Sequence, residues 1–390
     1  MRKTTMFTST YWRLSGFYFF YFAFAGAFTP YWGLYLDALK FTAFQISVLM
    51  SLMQVARIFA PNAWGWLADH TGKRIAMVQL AALLSLVFYL GVFVAENFWW
   101  MFAVIALTNL FWSASSPLVE AITLGHLGAG SERYGRIRLW GSLGFIAVAI
   151  VLGYVLDVAP VRVLLWATLG IILGILLCAH RIPASQAVAY PTDDQSVWHI
   201  LRRPEVALFL LACFCMAAAH GAYYTFYSIY LVGHGYSKSV VGWLWALGVV
   251  SEMLAFLWMP RLFARFGLRR ILLASFALAT LRFLVIGWGV EVVALVILAQ
   301  TLHAASFASY HSAAVALVHQ MFRGRHQVKG QGIYTSVSYG LGGTLGGVLS
   351  GYTWSAWGAG WSFTLSAAFA LTGGCVLVLR NRHLKMPCKL

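Results

Sequence analysis

Gly65-Trp-Leu-Ala-Asp69-His-Thr-Gly72-Lys73-Arg74 is a short polar hinge between two apolar runs, about 45 to 68 and 75 to 95. Each run is near the length, roughly 20 residues, that carries a helix across a bilayer. The glycines let two helices turn tightly, and Asp69 is placed to pair with basic groups or a helix N-terminus on a neighbour. Gly65, Asp69, Gly72 and Arg74 are therefore gate candidates. Outward from the hinge, apolar runs recur at about 14 to 36, 98 to 124, 135 to 157 and 160 to 180. A second set follows at about 206 to 231, 240 to 263, 269 to 289, 291 to 319, 330 to 353 and 358 to 380. The pattern predicts an all-α membrane protein with twelve transmembrane helices.

The longest polar stretch between spans, 181–205, separates six spans from six. The expected organisation is an N-terminal six-helix bundle at 1–180, a cytoplasmic linker at 181–205 and a C-terminal six-helix bundle at 206–390. A duplicated plan should leave an internal repeat. Pro260-Arg-Leu-Phe-Ala264-Arg-Phe-Gly267-Leu-Arg269-Arg270 stands 195 residues after the first hinge and repeats its glycine and basic pair. It has Ala264 in place of the acid, so the acidic gate contact is expected in the first half alone.

Composition supports lipid as the solvent. Hydrophobic residues make up 61% of the 390 and charged residues 10%, against about 25% charged in ordinary soluble domains. The formal net charge of +16 would suggest a nucleic-acid partner in a soluble protein, so placement decides its meaning. With the N-terminus inside, 22 of the 27 Lys and Arg residues fall on the cytoplasmic face. Only Lys40, Arg162 and Lys238 lie on the other, and Arg57 and Arg282 lie within spans. The positive-inside rule then puts both termini in the cytoplasm of a multi-pass inner-membrane protein, with no nucleic-acid partner. The first apolar run is too long for a cleaved signal peptide. The five cysteines form no paired ladder and no Cys-x-x-Cys, so neither disulfide nor metal is expected, and no cofactor.

Ionisable groups inside a bilayer cost on the order of 2.5 to 3.5 kcal/mol each and mark function by default. Glu252 in the eighth span, Arg282 in the ninth and His303 in the tenth lie at comparable depth. A buried carboxyl beside an imidazole and a guanidinium is what proton coupling requires. Glu252 is the expected proton carrier, tuned by Arg282 and His303. In the first half, Glu120 and Arg138 stand 18 residues apart on helices joined by a short loop, a spacing that allows their side chains to meet.

In the seventh span His220, Tyr223, Tyr224 and Tyr227 follow i, i+3, i+4, i+7 spacing, one stripe of a helix. Such stripes commonly pack against other helices; a histidine near mid-membrane favours a cavity wall. Arg57, Arg138 and Arg282 against Glu120 and Glu252 leave one positive charge over, which an anionic solute would neutralise. Arg57 is the expected carboxylate anchor. The substrate-binding candidates are thus Arg57, Glu120, Arg138, His220, Tyr223, Tyr227 and His311.

The hinge between spans two and three resembles the signature loop of the major facilitator superfamily. That resemblance implies two six-helix bundles around a central cavity opened alternately to either side. Ala219-His220-Gly221-Ala222-Tyr223-Tyr224, Leu247-Gly-Val-Val-Ser251-Glu252, Leu302-His303 with His311, and Tyr134-Gly135-Arg136-Ile137-Arg138-Leu139-Trp140-Gly141 are similar to the 3-phenylpropionate permease group. Membership there implies proton-coupled uptake of a small aromatic monocarboxylate. The Glu120/Arg138 spacing and the Arg282/His303 pair more distantly resemble lactose permease. A proton-coupled sugar or nucleoside symporter, and then a drug/proton exporter, stay open as alternatives. The fifth span lacks the Gly-Pro-x-x-Gly-Gly element of the drug antiporters.

No His-Glu-x-x-His, intramembrane aspartate pair or nucleotide loop is present, which argues against an enzyme and against ATP-driven transport. The expected partners are a small-molecule substrate, protons and membrane lipids, with the protein acting as a monomer.

Overall fold

The computed structural model describes residues 9–128, 133–183 and 197–383, and among them every regular element is helical. In chain order these are α1 (Ser9–Ala38), α2 (Ala43–Thr71), α3 (Arg74–Tyr89), α4 (Phe98–Leu127), α5 (Tyr134–Val158) and α6 (Val163–Arg181). Then come the short α7 (Trp198–Leu201), α8 (Pro204–Ala219), α9 (Gly221–Gly233), α10 (Lys238–Trp288), α11 (Val293–Thr301), α12 (Tyr310–Met321), α13 (Gln327–Thr335), α14 (Gly343–Trp357) and α15 (Ala359–His383).

By length and hydropathy, nine stretches of the described residues qualify as membrane spans, against twelve expected. The difference has physical causes. α10 counts once, although Gly267 interrupts it with φ 76° and ψ 155°, a left-handed conformation that glycine adopts without strain. The tyrosine-rich α1 and the glycine- and serine-rich stretch from Gln327 to Trp357 carry too little hydropathy to qualify. The exposure pattern is inverted relative to a soluble protein. Leu257 is 72% exposed while Arg282 is 0% exposed, the arrangement expected where lipid, rather than water, covers the outside.

Two compact units emerge, and their composition differs from a simple division at the linker. The first comprises α1, α2 from Phe59 onward, α3 to α6 and the start of α10 up to Ala246. The second comprises Thr42–Ile58 of α2, α7 to α9, α10 from Leu247, and α11 to α15.

In the first unit, helices approach where a side chain is missing. A Cβ on Gly26 of α1 would stand 2.6 Å from the Phe145 carbonyl oxygen of α5, and one on Gly174 of α6 2.5 Å from the Phe20 ring. Aromatic stacking fills what the glycines leave. Tyr21 lies parallel to Trp112 at 4.4 Å, and Phe24, Phe28 and Trp32 continue that column along α1. The hinge forms as the sequence predicts: α2 ends at Thr71, Gly72 takes φ +67°, and α3 begins at Arg74. Gly65 is open to its surroundings, with nothing near its Cβ position. The side chain of Asp69 and most of the 181–205 linker lie outside the described residues.

The start of α10 is tied to α5 within this unit. The Lys238 and Ser239 backbone amides donate to Asp157 Oδ1 and Oδ2 at 2.7 and 3.1 Å. A carboxylate on the free amides of a helix start satisfies donors that have no partner inside the helix. Asp157→Ala is expected to cost about 1 kcal/mol, read as a lower unfolding midpoint of the purified protein; an unchanged midpoint would show that the cap contributes nothing.

In the second unit α14 and the turn before it pack closely through two sets of glycines. In one, a Cβ at Gly342 would stand 2.5 Å from the Phe214 carbonyl oxygen of α8, and one at Gly346 would overlap the Ala218 carbonyl. In the other, Gly347 and Gly351 receive the hydroxyls of Ser51 and Ser47 from α2. Lipid gives helices no hydrophobic drive to associate, so close backbone approach supplies the attraction.

Candidate functional site

The second unit holds a cluster of ionisable groups in its interior. His303 Nε2 lies 2.7 Å from Glu252 Oε1, with side-chain exposures of 5% and 15%. Arg282 is beside them: its Nε donates to the Ala299 carbonyl at 2.8 Å and its Nη1 to Ser306 Oγ at 3.3 Å. Its guanidinium carbon stands 4.2 Å from the centroid of the Tyr223 ring. That ring's hydroxyl donates to Gln300 Oε1 at 3.1 Å. Arg282 Nη2 and His303 Nδ1 are buried without a hydrogen-bond partner. Each of the three sequence-predicted coupling residues is thus in one cluster.

The chemistry of a carboxylate oxygen 2.7 Å from an imidazole nitrogen is restricted. A proton must lie between them, on one atom or the other. With neutral imidazole donating to carboxylate, the pair carries one negative charge and balances Arg282. One further proton makes the pair neutral and leaves the arginine charge over. The cluster has two protonation states one charge apart, held out of water.

Beside the cluster is a cavity of about 480 Å³, its open mouth included, whose walls come entirely from the second unit. Three helix irregularities build it. His220 separates α8 from α9 with φ −82° and ψ −3°. π-Helical turns at Ala304–Ser309 and Ser336–Gly342 widen the paths into α12 and α14. They deliver His220, Phe307 and Tyr339, in that order, to the cavity wall. Broken and π-bulged helices recur at functional sites because they turn side chains out of the regular register.

Among the other substrate-binding candidates, Tyr227 is buried with its ring 5.0 Å from that of Tyr223. His311 Nδ1 meets the Tyr339 hydroxyl at 2.9 Å and the Tyr334 hydroxyl at 3.3 Å. Arg57 is half-buried on the part of α2 that packs in the second unit, within electrostatic range of Tyr339. In the first unit, Arg138 packs its guanidinium 3.7 Å from the centroid of Phe22. Glu120 is exposed, and the described residues form no Glu120–Arg138 ion pair.

Sequence reasoning missed Gln54, Gln300, Phe307 and Tyr339. Gln300 had a usable signal, an amide at the end of the apolar run Val293–Thr301. Gln54 is one turn before Arg57 on α2. The two π turns have no sequence signature that sets Phe307 or Tyr339 apart from packing aromatics. The described residues hold no cluster of three or more metal-ligating side chains.

Such a fold, with ionisable groups turned inward and leucines outward, is that of a membrane protein, and residues 11–365 match the MFS_1 like family. The chain belongs to that family, within the major facilitator superfamily, and is a multi-pass membrane transporter rather than an enzyme. It is 30% identical over 370 residues to the probable 3-phenylpropionic acid transporter of Escherichia coli (strain K12), spanning 93% of this chain and 96% of that protein. It is 25% identical to the maltose permease of Geobacillus stearothermophilus, over 93% of this chain and 92% of that one. The crystal structure of the nucleoside transporter NupG superposes with a TM-score of 0.81 at 17% identity, covering 97% of this chain and all of that one.

Proposed function

We propose that the protein takes up a small aromatic monocarboxylate together with a proton, by alternating access across the inner membrane. The Glu252–His303 contact beside the fully buried Arg282 carries this reading. Loading a proton there takes the cluster from neutral to one net positive charge. A carboxylate entering the protein offsets that charge, so proton and anion each favour the other's binding. Reciprocal favouring of this kind is the thermodynamic content of coupling. On this reading Glu252 carries the proton, His303 shares it, and Arg282 favours its release when the solute has left.

Arg57 is the carboxylate anchor, and His220, Tyr223, Tyr227 and His311 are placed around the solute. Glu120 and Arg138 contribute from the first bundle. The aromatic class is supported by the relative whose name specifies 3-phenylpropionic acid. The plan of twelve helices in two bundles, 1–180 and 206–390, with both termini cytoplasmic and the 181–205 linker between them, completes the reading. Gly65, Asp69, Gly72 and Arg74 form its inner gate, and a single chain suffices. The maltose permease and the nucleoside transporter favour a second reading, a proton-coupled sugar or nucleoside symporter.

Arg57 separates the two. Arg57→Gln is expected to weaken binding of phenylpropionate by about tenfold to a hundredfold, the range of a lost charged hydrogen bond, and to leave phenylpropionamide within about twofold. Equal losses for acid and amide in a binding titration would remove the anchor.

A further inference from the structure

Two hydrogen-bond acceptors on residues of the cavity wall are buried without a partner. His220, 4% exposed, has its Nδ1 2.8 Å from the Met216 carbonyl oxygen. A carbonyl only accepts, so that nitrogen carries the hydrogen, and in the neutral ring Nε2 is left as a lone pair. Nε2 is buried and without a partner. Gln54 Oε1 is likewise buried and without a partner. The Ser51 hydroxyl donates to the Ser47 carbonyl at 2.6 Å, and the Tyr310 hydroxyl to the Cys213 carbonyl at 3.4 Å. Each has spent its hydrogen and retains acceptor capacity.

Buried acceptors without a partner are unfavourable, by about 1 to 3 kcal/mol for each group, and that penalty is lifted by whatever brings a donor, a water or a hydroxylated ligand. A carboxylate cannot, since it accepts only. We infer that this cavity is a subsite for a hydroxylated ring, so that the preferred solute is an aromatic acid bearing a phenolic hydroxyl. The inference rests on the aromatic-acid reading above and deepens it. The carboxylate is directed to Arg57, outside the cavity wall, and the ring enters with its hydroxyl donating to Gln54 Oε1 or His220 Nε2. Phe307 and Met216 supply apolar surface for the ring.

The test is a binding titration on the purified full-length protein. The probes are phenylpropionate, its ring-hydroxylated analogue and the methyl ether of that analogue, each as acid and as amide. The hydroxylated compound is expected to bind about tenfold tighter than both the ether and the unsubstituted ring, the worth of one satisfied neutral hydrogen bond to a buried group. Gln54→Leu should shrink that gap to less than about threefold. His220→Phe, an independent variant, should narrow it as well. Equal affinities for the hydroxylated compound and its ether in the unaltered protein would overturn the inference, with no variant required. A hydroxyl preference that survives in the amides, with no preference for acid over amide, would sink the anchor and sustain the subsite. If no aromatic probe binds, both fall.

Discussion

Glu252→Gln is expected to abolish pH-driven accumulation of the solute while leaving exchange at equal pH measurable. Glutamine keeps the shape of the side chain and accepts from or donates to His303, but it takes up no proton near neutrality. With one proton moving per anion, an imposed gradient of one pH unit supports about tenfold accumulation. In the variant, initial uptake under the gradient should fall to the level of protein-free vesicles. That control is essential because uncharged weak acids cross lipid unaided. Exchange of labelled for unlabelled solute needs only the solute site and the alternation of the two bundles, so it should continue. Full gradient-driven uptake by Glu252→Gln would remove Glu252 from the coupling step and direct attention to His303 alone.

Gly346→Val is expected to be strongly destabilising. The missing side chain of Gly346 is where the α8 backbone passes, and even a Cβ there would overlap the Ala218 carbonyl. A carbonyl belonging to a helix cannot turn aside as a flexible side chain can. α14 would have to withdraw, breaking the approach at Gly342 and Gly221 too, since Gly221 faces the Gly346–Gly347 peptide. Overpacking usually costs about 1 to 3 kcal/mol, and a rigid backbone obstacle falls at or above the upper end. Low folded yield and a lowered unfolding midpoint are the expected readouts, with Gly346→Ala intermediate. By contrast Gly65→Ala, with nothing near its Cβ position, should leave the midpoint unchanged. Wild-type stability of Gly346→Val would contradict the close crossing.

The sequence carried the architecture because membrane solvation writes it in plain terms. Twenty apolar residues, a basic loop on one side and a glycine hinge are local features, and each reads without tertiary contacts. Depth is also local: counting from the loops put Glu252, Arg282 and His303 at one level, and they share one cluster. What counting does not give is rotation and pairing. Glu120 and Arg138 have the spacing of facing residues, yet Arg138 rests on Phe22 instead. Arg57 precedes the linker, but its part of α2 packs with α14 in the second unit. The largest loss is at the helix irregularities. The His220 break and the two π turns contain no proline, and the π turns bring Phe307 and Tyr339 to the cavity. Gln54 looked like an ordinary polar residue until its acceptor was seen buried without a partner.

The claim that solute and proton cross together is tested most directly in proteoliposomes enclosing a pH-sensitive dye, with equal pH on both sides at the start. Adding an aromatic acid outside should acidify the lumen faster than in protein-free vesicles, and Glu252→Gln vesicles should match the protein-free rate. Wild-type vesicles that acidify no faster than protein-free ones, or Glu252→Gln vesicles that acidify as fast as wild type, would contradict it.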